Sequence, residues 1–207
     1  MRAPSFAIAT AIFLVGLGMN SLTFGQDEDK GGFFGVSIGQ VEVDVSTSDF
    51  DDGSLISRDV DDTDTVWKLF GGYRFNKNLA IEGGFADGGE IKFDGVSAGG
   101  FLWAPGPVSA TVETESIYVA VVGVIPFKKW ALFGKLGFHR WEADSSVTNT
   151  IIGAFSFDDD GTDPMYGIGV EWRPTERIGV RLEYEVFTEV LDEDAAATSV
   201  GFVYKMR

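Results

Sequence analysis

The stretch RIGVRLEYEVF, residues 177–187, alternates almost without fault. Ile178, Val180, Leu182, Tyr184 and Val186 fall on one parity; Gly179, Arg181, Glu183 and Glu185 fall on the other. A period of two puts the two sets on opposite faces of a β-strand, a pattern that a helix cannot use. It also leaves two architectures: a soluble barrel with the aliphatic face inward, or a membrane barrel with that face turned to lipid.

The N-terminus points to export. In MRAPSFAIATAIFLVGLGMNSLTFGQ, Arg2 precedes an apolar run from Phe6 to Met19, and Thr23 and Gly25 are the small residues before a cut at Gln26. Residues 1–25 read as a signal peptide, and residues 26–207 as one all-β domain. The run is shorter than the ~20 apolar residues of a spanning helix. The chain has no Cys, which excludes disulfides, thiol chemistry and a lipidated cysteine.

Eight strands are expected, over residues 32–45, 64–75, 79–86, 114–127, 130–142, 165–173, 177–187 and 198–206. In the first, Phe34, Val36 and Ile38 share one parity and Val41, Val43 and Val45 the other, which predicts a bulge near Gly39. The connections alternate in length. NKN (76–78), KK (128–129) and PTER (174–177) are tiny, whereas 46–63, 87–113, 143–164 and 188–197 are long. In an antiparallel meander this sorts every short turn to one end and every long loop to the other, as outer-membrane barrels do. The aliphatic parity ends in aromatics near the short turns (Tyr73, Phe75, Phe127, Trp130, Trp172), where an interfacial girdle belongs. The expectation is an all-β, eight-stranded antiparallel up-and-down transmembrane β-barrel, exported to the cell outer membrane. Its partners are then outer-membrane lipid, lipopolysaccharide and the barrel assembly machinery.

Several stretches resemble the small OmpA-type outer-membrane β-barrels: GFFGVSIG, WKLFGGYRFNKNLAIEGGF, FGKLGFHRWEAD and YGIGVEWRPTERIGVRLEYEVF. The resemblance runs from about Gly31 to Met206. It implies eight strands around a lumen filled by charged side chains, and here a barrel with no peptidoglycan-binding domain after its last strand. It implies no single function, since a fold hosts many.

Charge is concentrated. Residues 47–64, 142–163 and 188–197 hold seventeen acids and one base, and the remainder balances. Such a surface repels nucleic acid. Parity places ten charges on the inner face: Lys68, Arg74, Glu82, Lys135, Glu171, Arg173, Arg181, Glu183, Glu185 and Lys205. An eight-stranded barrel is just wide enough to be filled by side chains, so these charges are expected to neutralise one another and plug it. Glu183 and Glu185 could serve as an acid–base pair only if a substrate could enter.

Three other features invite chemistry. His139 is the single histidine; with Ser145 and Ser146 it suggests a rim hydrolase acting on envelope lipid, or else a satisfied buried histidine. DDDGTD offers Asp158, Asp160 and Asp163 to a divalent cation, although the spacing of a calcium loop is not met, and the alternative is a hydrated acidic surface. Phe101, Leu102 and Trp103 form an apolar patch in the longest loop, suited to an extracellular ligand or to lipopolysaccharide acyl chains. No cofactor is expected. The leading expectation is a non-enzymatic envelope-integrity or surface-contact protein. The alternatives are a narrow channel for small or hydrophobic molecules, an envelope-lipid-modifying enzyme and a soluble lipocalin-like binder.

Overall fold

The computed structural model describes residues 30–43, 53–61, 63–100, 104–149, 151, 153–191 and 193–206. The export segment 1–25 and the patch Phe101, Leu102 and Trp103 lie outside them. Every element among the described residues is a strand: β1 Gly31–Val43, β2 Leu55–Asp61, β3 Thr63–Asn76, β4 Leu79–Ser97, β5 Gly106–Phe127, β6 Trp130–Asn149, β7 Gly153–Trp172, β8 Ile178–Val190 and β9 Glu193–Lys205. All pairings are antiparallel. Neighbours in sequence pair around the sheet, β1 pairs both β3 and β9, and β4 pairs β5, so the sheet closes as an eight-stranded barrel.

The ninth strand is a continuation. β3 pairs β4 up to Asp87, and β2 takes over from Lys92 to Ser97. β4 has a bulge against β5 between Asp87 and Glu90 at the same height. Gly89 sits there at φ 73°, a left-handed conformation that disfavours a side chain. The Asp64 carboxylate holds the bulge by accepting the amides of Glu90 at 2.5 Å and Thr65 at 2.6 Å. Those two donors keep the Asp64 carboxyl below the usual carboxylate range.

Three of the expected long loops are largely strand. β4–β5 remains paired to Ser97 opposite Gly106, β6–β7 to Asn149 opposite Gly153, and β8–β9 to Val190 opposite Glu193. A tilted strand crosses a bilayer in ~9–11 residues. With 19 to 22 residues each, β4 to β7 therefore stand well clear of it. Above the bilayer the outer face meets water and the lipid-driven alternation disappears, while the backbone ladder continues. Strand there carries no membrane signature.

The same inversion explains the first strand. β1 pairs β3 without a register shift from Gly31–Arg74 to Glu42–Thr63, so the bulge expected near Gly39 is absent. Phe34, Val36 and Ile38 face outward, as do Gln40 and Glu42 beyond them, and Val41 stays inward. What changes near Gly39 is the medium outside.

Within the membrane band the outer face is apolar and exposed: Ile38 is 62 %, Leu136 68 % and Ile168 67 % accessible. Such an exposed belt belongs against hydrocarbon. At the short-turn end Trp130 and Trp172 lie 6.1 Å apart, and Tyr73 and Phe75 5.5 Å apart. At the other edge Trp67 packs on Phe85 at 5.4 Å and donates its indole N–H to Asp87 at 3.0 Å. Amphipathic rings at both edges mark the two interfaces.

Close packing fixes one glycine on the inner wall. A Cβ on Gly137 would meet the Val119 carbonyl oxygen at 2.0 Å and Ala120 Cα at 2.6 Å, whereas one on Gly123 would meet nothing within 4 Å. Gly137→Ala is therefore expected to destabilise the refolded barrel by about 1–3 kcal/mol, the usual cost of overpacking. Gly123→Ala should leave the urea midpoint unchanged; equal midpoints for the two variants would contradict the packing.

The lumen as candidate functional site

The inward parity of the middle strands carries a closed ion network. Lys68 on β3 donates to both Glu183 and Glu185 on β8. Lys135 on β6 reaches Glu82 at 2.7 Å, Glu185 at 3.0 Å and Glu183 at 3.1 Å. Arg181 forks between Glu82 at 2.7 Å, Glu171 at 2.9 Å and Glu183 at 3.3 Å. Glu171 on β7 also accepts from Arg173 at 2.5 Å and lies 3.7 Å from Lys205. Lys68, Lys135, Arg181, Arg173 and Lys205 thus meet Glu82, Glu171, Glu183 and Glu185, five cations against four anions. Arg74 is buried lower on β3, towards the short turns. The structure brings nine of the ten parity-assigned charges into this network and buries Arg74 below it, at the lower mouth.

Aromatic rings hold the cations from their other sides. The Arg181 guanidinium carbon lies 4.9 Å from the Phe133 ring, 5.0 Å from Phe70 and 5.3 Å from Phe33. Lys135 is 5.7 Å from Tyr118, whose hydroxyl donates to Glu82 at 2.9 Å. Ring faces attract cations most where water is excluded. The sequence reading missed Tyr118, because it lies in YVAVVGVIPF, apolar on both faces, where parity alone marks no function.

Towards the long-loop end the interior turns apolar. Val41, Val66, Trp141, Ala143, Met165, Phe187, Ala195 and Ala197 are all buried. They cap the ion network on that side.

His139 is buried beneath this cap. Its Nε2 is 3.1 Å from the Thr188 carbonyl, so it carries the proton and donates. Its Nδ1 is then free to accept from the Ser116 hydroxyl, 3.3 Å away. The nearby serine is therefore Ser116, not Ser145 or Ser146; Ser145 lies six residues further along β6, roughly 20 Å at strand rise. Asp163, opposite His139 in register, accepts the Trp141 indole N–H at 2.8 Å. Phe187 packs edge-on at 5.2 Å. Among the described residues the histidine's hydrogen-bond partners are a hydroxyl and a carbonyl, and the nearby Asp163 carboxylate is engaged by Trp141 in place of orienting the imidazole as in an acyl-transfer triad.

The three candidate metal ligands do not converge. Asp158 and Asp160 point outward from β7, and Asp160 binds Arg140 at 2.8 Å, whereas Asp163 is on the inner parity. Among the described residues no group of three ligating side chains surrounds a common point.

Carboxylates crowd the outer face just above the bilayer. Glu115 lies opposite Asp87 on one side and Glu142 on the other. Partial burial first, and then Asp87, Glu142, Asp144 and Glu113, push its carboxyl above the usual glutamate range. The folded state therefore holds this proton more tightly than the unfolded chain, and ionising it costs stability as pH rises. Glu115→Gln should raise the unfolding midpoint at pH 8, with the advantage shrinking as pH falls through the raised value. A pH-independent difference would contradict this.

The network itself makes a larger prediction. Arg181→Ala leaves Glu82 and Glu171 short of a buried partner and should cost about 3–5 kcal/mol, the range for breaking a buried ion pair. Glu189→Ala on exposed backbone should stay within about 0.5 kcal/mol. Urea titration read by unboiled gel mobility separates the two, and equal midpoints would contradict the lumen assignment.

Comparison with known proteins agrees with this geometry. Residues 8–205 match the outer membrane protein beta-barrel domain family. Outer membrane protein A of Klebsiella aerogenes is 32% identical over 144 residues, 66% of this chain and 37% of that protein. The match thus spans little more than a third of that relative. Among solved structures, OprG from Pseudomonas aeruginosa superposes with a TM-score of 0.55 at 14% identity, over 88% of this chain and 100% of that chain. Ail, the attachment invasion locus protein of Yersinia pestis, was solved with the heparin analogue sucrose octasulfate. It gives a TM-score of 0.50 at 18% identity, over 85% of this chain and 99% of that one.

Proposed function

The chain belongs to the outer-membrane β-barrel family, and from that premise we propose that it is a sealed, non-conducting and non-enzymatic barrel. It serves envelope integrity and presents acidic hairpins for contact at the cell surface. The closed ion network inside the barrel carries this reading. Three buried cations, Lys68, Lys135 and Arg181, and four buried carboxylates satisfy one another across the lumen, with Arg173 and Lys205 joining at its lower edge. A conducting pore would instead leave them solvated along a path. The apolar layer above adds a second barrier, because hydrocarbon side chains exclude a hydrated ion.

The same filling argues against catalysis. Glu183 and Glu185 are each committed to lysine, and His139 to Thr188 and Ser116, so substrate has no approach to either. A lipocalin-like binder would need its aliphatic face inside, and that face is outside.

The contact surface is the part of β4 to β7 above the bilayer. Glu113, Glu142, Asp144, Asp158 and Asp160 stand on its strands, with Asp144 opposite Asp158 and Glu142 opposite Asp160. Like charges directly opposite cost stability, so this face is not arranged for the fold alone. A polyanion of the kind seen in complex with Ail would be repelled here; the complementary partner is cationic or bridged by divalent cations. Residues 1–25 supply export, and insertion falls to the barrel assembly machinery.

Planar-bilayer recording of the refolded chain tests the sealed reading. The expected record shows no steady unitary conductance. A reproducible ohmic channel would replace this reading with the narrow-channel alternative.

A further inference from the structure

Above the bilayer, among the described residues, β2, β4, β5, β6 and β7 continue as a sheet that no longer closes on itself. β7 forms one of its edges. It pairs β8 only from Trp172 opposite Val180 to Met165 opposite Phe187, yet it stays paired with β6 to Gly153 opposite Asn149. Where β8 departs, the Thr188 hydroxyl donates to the Pro164 carbonyl at 2.7 Å, and β8 bulges between Phe187 and Val190. Beyond Pro164, among the described residues, no strand lies on that side of β7. At such an edge every second residue turns its N–H and C=O away from the sheet. The even-numbered residues are that set. The Pro164 carbonyl faces β8, and the Asp160 amide, with no strand beside it, donates to the adjoining Asp159 carboxylate at 2.9 Å.

We propose that this edge docks an extended basic segment of a partner protein, which adds to the sheet as its next strand. The proposal rests on the surface-contact reading above and names the partner. The apolar inner face of the sheet runs out at β7: Trp141 and Ala143 on β6 are buried, while Phe155 and Phe157 are 47 % and 60 % accessible. A further strand would cover both rings with its own inward side chains. On the outer face its neighbours would be Asp158 and Asp160, which stand opposite Asp144 and Glu142 on β6. Asp160 holds Arg140, whereas Asp158 holds no cation among the described residues. Lys or Arg at alternate positions of the incoming strand answers this row, and apolar residues at the others meet the phenylalanines. A second copy of this chain does not fit, because pairing two such edges about Asp159 sets the aspartates of one against those of the other.

The test is calorimetric titration of the refolded chain, in an uncharged maltoside detergent, with a peptide of alternating Lys and Val about seven residues long, within the usual length of a strand. The same peptide N-methylated at every residue keeps the charges and removes the backbone donors. The unmodified peptide is expected to bind saturably and to slow amide hydrogen exchange over residues 154–162. Methylation should weaken it about tenfold or more, on the order of one or two backbone hydrogen bonds. Asp158→Asn should weaken it through charge, and Ser156→Pro by removing a donor on the open side while the β6 ladder stays intact. Equal binding of the two peptides, or binding that Ser156→Pro retains in full, overturns the edge and leaves acidic surface contact standing. Lack of binding by either peptide overturns this proposal and the cationic-partner reading together. If Ser156→Pro fails to fold, the methylated peptide decides.

Discussion

In hydrocarbon no backbone amide finds water, so a sheet that crosses a bilayer must close on itself. Everything else in this molecule follows from that closure. Eight strands make a ring whose bore is set by strand number and tilt, and the bore is too small to stay empty and too polar, by parity, to be filled with aliphatic groups. Long side chains of opposite sign are the remaining solution. Lys68, Lys135 and Arg181 reach across the ring to carboxylates on β4, β7 and β8, which also cross-links strands distant in sequence.

The medium outside changes with height, and the interior changes with it. In the bilayer the outer face is apolar and the inner face charged. Above the bilayer Gln40, Glu42, Glu142 and Asp144 face out while Val41, Trp141 and Ala143 face in. The barrel is therefore inside-out below the bulge at Asp87–Glu90 and of ordinary soluble polarity above it.

That division sets what the sequence could reveal. Between Arg177 and Phe187 lipid imposes a strict alternation, and the strands, short turns and inward charges are readable by parity. Above the bilayer the alternation has no single direction, so the upper halves of β4 to β7 read as acidic loops and the continuous β1 reads as bulged. Cross-strand neighbours depend on register, which one strand does not encode. Ser116 meets His139 only because β5 and β6 pair as they do, and Tyr118 meets Glu82 across β4 and β5 for the same reason. Opposite parity parts Asp163 from Asp158 and Asp160, and only the inward side chain can reach Trp141.

The upper hairpins also bear on how the barrel reaches its place. Carboxylates at their far ends must be carried through the bilayer during insertion, and each is expensive to strip of water. The lysines and arginines of the opposite mouth never have to make that journey. Once the acids are re-hydrated on the far side, the same barrier opposes their return. Charge asymmetry thus acts as a ratchet, making assembly slow to begin, directional, and hard to reverse.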